Sequence, residues 1–215
     1  MQQAHRRGVK SHGSTLFCAT RTIVVVPVID QNRSWSAVED RLAVETDLVL
    51  RRNLELLLLH MRAEAAGDLD ALMSTVADDA TYTAFGAPPA NSPRGKAAVR
   101  TFYEDFIASG ATRLQFAIDR LVVDRHCILT EGLMRIAYPG KRLVEYGIVV
   151  EDTDAFYLFE THMAVLWPID ENGLFTGEDS YTGANGFDGI ASRKLSPDDI
   201  VELDGSVEMV RATSV

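Results

Sequence analysis

Apolar positions recur at steps of three and four through the first third of the chain and at every second position through most of the remainder. Leu50, Leu54, Leu57, Met61 and Ala65 make one stripe, which lays a single apolar face along a core-facing helix. Ser36-Ala37-Val38-Glu39 fits a capping box with Ser36 as N-cap, and a second start is available at Thr46-Asp47. The helical pattern runs to Ala66, Gly67 stops it, and Asp68 caps a short helix from Leu69 to Val76. Asp78-Asp79 turns the chain into a strand, Ala80 to Phe85. The Pro/Gly-rich residues 86–95 read as a surface loop, and a third helix spans Lys96 to Ala108, ending at Gly110.

Beyond Gly110 the period falls to two. Leu114–Val123 and Cys127–Ala137 flank a tight connection, and Tyr157–Trp167 and Leu174–Thr182 flank a turn containing Asn172-Gly173; both are hairpin patterns. Val144–Val150 reads as a short strand between them. Three helices followed by antiparallel strands give an α+β class, with the helices packed into the concave face of a curved sheet that encloses one cavity. Residues 36–182 form the domain. Residues 1–35 read as an N-terminal extension, disordered at its start with one strand, and 183–215 as a tail wrapping the surface.

Composition narrows the function classes. Apolar residues make up 47% and charged residues 24% of 215, the balance of a soluble globular protein. The first 36 residues hold five cations against Asp30, a net +4, so a total of −10 leaves −14 on the remainder. An acidic body repels phosphate backbones, which argues against nucleic acid. No stretch approaches the roughly 20 apolar residues of a membrane span, and the start of the chain lacks a secretory cleavage pattern. Cys18 and Cys127 make neither a disulfide framework nor a zinc spacing, so no metal or cofactor is expected, and a cytoplasmic location fits.

The stretch Ala65-Ala66-Gly67-Asp68-Leu69-Asp70-Ala71-Leu72, with Ala77-Asp78-Asp79-Ala80-Thr81-Tyr82, resembles the nuclear transport factor 2-like superfamily in its SnoaL-like and ketosteroid isomerase-like branch. Gly95–Tyr103 resembles that family's third helix, and Asn172-Gly173-Leu174-Phe175 its last hairpin turn. The resemblance implies a cone-shaped barrel with an interior ligand site, and a homodimer paired through the sheet. It leaves the reaction open, because one fold hosts many chemistries. His60, Ala84 and Val165 stand where the isomerases place an oxyanion tyrosine, a carboxylate base and a second donor. Gly132, Met134 and Ser180 stand where the epoxide hydrolases place an Arg and two Asp. Neither mechanism is expected to operate here.

With Ala84 inward, alternation turns Tyr82, Thr130, Met134, Val165, Trp167, Glu178 and Ser180 inward as well; a hairpin register shifted by one residue would bring in Asp179 in place of Glu178 and Ser180. His60, Tyr82, Tyr103 and Glu178 are the candidate catalytic residues. His60 or Glu178 would act as acid or base, and the tyrosines would donate to an oxyanion. Phe102, Thr130, Met134, Val165, Trp167 and Ser180 are the candidate ligand contacts. The expected partner is a small apolar molecule and the expected chemistry a cofactor-independent isomerisation, cyclisation or dehydration; a non-catalytic ligand-binding or dimerising module is the alternative. Glu160 and His162 share the opposite sheet face, and Glu151–Asp154 reads as a solvated acidic turn.

Overall fold

The computed structural model describes residues 26–86 and 92–204. Cys18, the start of the N-terminal extension, part of the Pro/Gly loop and the tail beyond Asp204 lie outside the described residues. The elements are β1 (Ile29–Asp30), α1 (Ser36–Val44), α2 (Leu48–Ala66), α3 (Leu69–Met73), β2 (Val76–Phe85), α4 (Lys96–Ala108), β3 (Leu114–Val123), β4 (Cys127–Pro139), α5 (Gly140–Glu145), β5 (Phe156–Pro168), β6 (Phe175–Thr182) and β7 (Ile200–Val201). Among the described residues no helix is long and apolar enough to cross a membrane.

α2 is the central helix. Asp47 starts it by accepting from the Val49 and Leu50 amides, which satisfies two of its orphan donors. Gly67 ends it in the left-handed conformation at φ +67°, where a side chain would be strained. Its buried Leu54, Leu57, Leu58, Met61 and Ala65 pack on Phe116, Ile128, Val165, Trp167 and Phe175 of the sheet. A second apolar group joins α3, α4 and β2 through Leu72, Met73, Val76, Ala80, Val99 and Tyr103.

The main sheet has the order β2-β6-β5-β4-β3, curved around α2 and open at both edges. Three of its pairings are antiparallel, as the alternation predicts, but β2 and β6 run parallel. That pairing sets Tyr82 beside Glu178 and Ala84 beside Ser180.

Several local expectations are corrected. Ser36 lies inside α1 rather than capping it, and Trp35 takes the cap position without a side-chain bond while its ring enters the core. α3 stops at Met73 and β2 begins at Val76, so the strand is longer and the helix shorter than the pattern suggests. The expected strand at Val144–Val150 is absent: Val144 and Glu145 end α5, and residues 146–150 form a turn and an irregular segment. In α5, Leu143 is buried against Tyr157 and Ile190, while Val144 is half exposed, a burial set by helical turns rather than by alternation. The packed body also reaches past residues 36–182. Ile29 is fully buried with Ala137 and Leu195, and β1 pairs in parallel with β7.

Candidate functional site

Four elements deliver polar side chains to one place. His60 comes from α2, Tyr82 from β2, Tyr103 from α4 and Glu178 from β6. The His60 ring is fully buried where the two apolar groups meet, edge-on to Tyr103, Trp167 and Phe175. Its Nδ1 lies 2.7 Å from the Thr75 hydroxyl and its Nε2 3.1 Å from the Tyr103 hydroxyl. The Tyr103 hydroxyl also lies 3.1 Å from Glu178 Oε2 and 3.5 Å from the Tyr82 hydroxyl. Three neighbours therefore compete for one tyrosine proton. The four expected catalytic residues are brought together.

The electrostatics follow from burial. Desolvation holds the His60 imidazole neutral, pushing its pKa down to about 3. It also raises both tyrosines well above their ordinary range, aided by the charge of Glu178. Glu178 opens partly to a cleft, yet the atoms packed around it desolvate it enough to lift its pKa to about 7, a rise that a hydrogen bond from Tyr103 to the ionised carboxylate counters. Sequence reasoning missed Glu64, whose carboxyl is pushed up to about 8 by burial and then by the charge of Glu178. The signal was available: Glu64 is four residues after His60 on α2, hence on the same helix face. Among the described residues no cation pairs with either carboxyl.

The cleft beside this cluster has a volume of about 740 Å³. Tyr82, Ala84, Glu178 and Ser180 form one wall, Phe102 and Phe106 of α4 another, and Tyr138, Arg142 and Tyr146 border it from the α5 region. Of the expected ligand contacts, Phe102 and Ser180 line it. Thr130, Val165 and Trp167 do not: they are buried under α2, where Trp167 Nε1 donates to Thr130 Oγ1 at 3.0 Å. Met134 packs against the same core. The deep end of the cone is thus filled by its own side chains, and the open space lies toward α4 and α5. Arg142 lies outside the expected strand Val144–Val150 and Tyr146 within it; both line the cleft from α5 and the turn that follows.

Outside the cleft, the acidic turn is tied down by cations, with Lys194 on Asp152 and Lys141 on Asp154. Among the described residues no cluster could hold a metal ion. Glu160 pairs with Arg135 at 2.8 Å, while His162 meets Glu131, which also holds Arg120. Cys127 is a free, partly buried thiol.

Residues 58–161 match the family model described as SnoaL-like domain. No curated protein matches the sequence. Among solved structures, a candidate SnoaL-like polyketide cyclase from Shewanella denitrificans OS-217 is similar at 13% identity and a TM-score of 0.53, over 65% of this chain and 96% of that one. An NTF2-like protein from Anabaena variabilis ATCC 29413 is similar at 14% identity and a TM-score of 0.50, over 66% of this chain and 97% of that one. Likeness at these identities is likeness of fold.

Proposed function

We propose that this chain, whose residues 58–161 are a SnoaL-like domain of the nuclear transport factor 2-like superfamily, binds a small, largely apolar molecule in its cleft and moves a proton on it without a cofactor. The reaction class is isomerisation, cyclisation or dehydration. The observation that carries this reading is Glu178. It is a carboxyl in the wall of an aromatic-lined cleft, bonded to a buried tyrosine and titrating near neutrality. A group that titrates near working pH can both give and take a proton. Tyr82 stands beside it in the same wall and stays protonated, the state required to donate to an oxygen that gains negative charge. His60 and Tyr103 lie behind these two and act through them. In this reading the protein works in the cytoplasm, where the Cys127 thiol stays reduced.

The test begins with native mass spectrometry of the purified protein and extraction of whatever co-purifies. The expected result is a bound apolar compound that is lost in Ala84→Trp, which fills the cleft from its β2 wall. In D2O the compound should exchange a carbon-bound hydrogen, and Glu178→Gln should abolish that exchange. An empty protein whose thermal midpoint is unmoved by a panel of polyketides, terpenoids and steroids would sink the proposal.

The outer face of the sheet supports pairing of two copies. Phe85 and Tyr181 are 46% and 44% exposed yet stack on each other with ring centroids 4.2 Å apart, and Val122 on β3 is 59% exposed. Apolar side chains left exposed on one sheet face are available to a second copy. Sedimentation velocity is expected to show a homodimer at micromolar concentration, with Tyr181→Glu weakening it by about tenfold or more. A wild-type monomer would remove the dimer from the proposal.

A further inference from the structure

Thr75, at the turn between α3 and β2, takes no part in the proposed proton transfer, yet it decides which way protons point through the site. Its hydroxyl donates to the Leu72 carbonyl at 2.6 Å. That proton is committed, so toward His60 Nδ1 the Thr75 oxygen can only accept. Nδ1 therefore carries the ring hydrogen, and in a neutral imidazole Nε2 is then a bare acceptor. The donor within reach is the Tyr103 hydroxyl at 3.1 Å. A buried acceptor left unpaired costs about 1–3 kcal/mol, so the single Tyr103 proton is drawn to His60. The Tyr103 oxygen then faces Glu178 Oε2 at 3.1 Å with lone pairs only. That contact is a hydrogen bond in this arrangement only when Glu178 supplies the hydrogen.

We infer that Thr75 is a positioning residue which, through the tautomer of His60, keeps Glu178 protonated at rest, so that turnover opens with proton donation from Glu178 to the ligand. This rests on the proposal that Glu178 is the proton-transfer group, and it narrows the ligand class. The reacting end must be activated by protonation: a carbonyl oxygen, an electron-rich double bond, or a hydroxyl that leaves as water. The Glu178 O–H bond breaks as the ligand's new O–H or C–H bond forms, and the electron pair stays on the carboxylate. Tyr103 then turns its proton from His60 Nε2 to that carboxylate and stabilises it. A proton released from a ligand carbon restores Glu178, so the cycle balances without an oxidant, a reductant or a second substrate.

The other groups facing Glu178 work in the same direction. Asp179 on its own strand is an acid whose charge opposes its ionisation, and Glu64 from α2, which holds its proton to about pH 8, offers it no stabilising charge. Tyr82 from β2 is neutral, and Arg142, the one cation lining the cleft among the described residues, is paired with Glu145 at 2.7 Å.

Nuclear magnetic resonance tests this without a ligand. Long-range 15N correlations read the His60 tautomer, and glutamate 13Cδ signals, assigned with Glu178→Gln, read the Glu178 midpoint. The wild type is expected to show hydrogen on Nδ1. In Thr75→Val the acceptor is gone, so the hydrogen moves to Nε2, donates into Tyr103 and frees the tyrosine proton for the carboxylate. The Glu178 midpoint should then fall by about one to two pH units, the worth of one charge-assisted hydrogen bond. Thr75→Ser keeps the oxygen and should keep both wild-type readings, which a role in packing alone would not require. Hydrogen on Nε2 in the wild type overturns the inference, and that reading stands even if the valine variant does not fold. A switched tautomer with an unmoved midpoint also overturns it. The expected tautomer and shift in a protein that binds no ligand would leave this inference standing and remove the proposed function instead.

Discussion

Gly132→Ala is expected to cost about 3 kcal/mol of stability or more, beyond the usual range for one added methyl group. Gly132 sits in the middle of β4, opposite Ile118 on β3 and Met163 on β5. A Cβ there would overlap the Ala117 carbonyl oxygen and lie 2.9 Å from the Ile118 Cα. These are backbone atoms, so no rotamer change relieves the clash. The strand itself must move, and it is held by the ladder on either side of the irregularity between Ile118 and Arg120. β3 is an edge strand, which lets it peel away rather than unfold the whole sheet and keeps the cost finite. Thermal denaturation should show the midpoint falling by about 6–12 °C for a chain of this size. A fall of less than about 3 °C would mean that β3 yields far more easily than its pairing implies.

Glu64→Gln is expected to stabilise the protein in alkali and to leave it unchanged in acid. The folded Glu64 holds its proton up to about pH 8, because burial and the Glu178 charge oppose ionisation, against an ordinary value of 4.5. Below pH 4.5 folded and unfolded chains are both protonated and the group contributes nothing to the pH slope. Between 4.5 and about 8 the unfolded chain has released the proton and the folded chain has not. The unfolded state then binds fewer protons, and stability falls as pH rises. Glutamine removes this loss. With a discount for the part of Glu64 that remains solvated, the gain at about pH 8.5 is on the order of 2 kcal/mol, or about 4–8 °C. Acids with depressed values, such as Asp47 and Asp152, act at the other end of the scale and cancel between variant and wild type. Glu178→Gln should act in the same direction, and the double variant should gain less than the sum, because Glu178 supplies part of the shift in Glu64. Parallel melting curves for Glu64→Gln and wild type across about pH 5 to 9 would contradict the placement of Glu64 in the interior.

Local chemistry wrote much of the fold into the sequence. The α2 stripe, the Gly67-Asp68 stop and cap, and the two hairpins stand where periodicity and turn residues set them. Pairing at a distance left no such mark. Nothing near Tyr82 indicates that β2 runs parallel to a strand whose partner residue is Glu178, because register across the chain depends on the whole packed sheet. The end of α5 was hidden for a related reason: Val144, Ile148 and Val150 give residues 144–150 the composition of a strand, whereas Val144 belongs to the last turn of a helix whose Leu143 packs against Tyr157 and Ile190. At the site, alternation carried Tyr82, Glu178 and Ser180 to the correct face, but it could not show that Trp167 and Val165 would be consumed by the core. Glu64 was legible from its spacing to His60. Thr75 was not, since its meaning lies in a carbonyl three residues before it and a ring 15 residues away.

The parallel pairing of β2 with β6 has a consequence for how the chain acquires its chemistry. A parallel pair cannot be closed by a hairpin; it needs a crossover. Here α4, β3, β4, α5 and β5 all belong to the crossover between Tyr82 and Glu178. Tyr103 and Glu178 are likewise 75 residues apart. The helices and the β3–β4 hairpin can assemble from near neighbours, but the phenol and the carboxyl meet only when the last long strand closes on the edge of the first. Loop closure is the slow, late kind of contact in folding. A nascent or partly folded chain therefore assembles neither the perturbed carboxyl nor the cleft wall, and any proton transfer of the kind proposed above would begin only with completion of the fold.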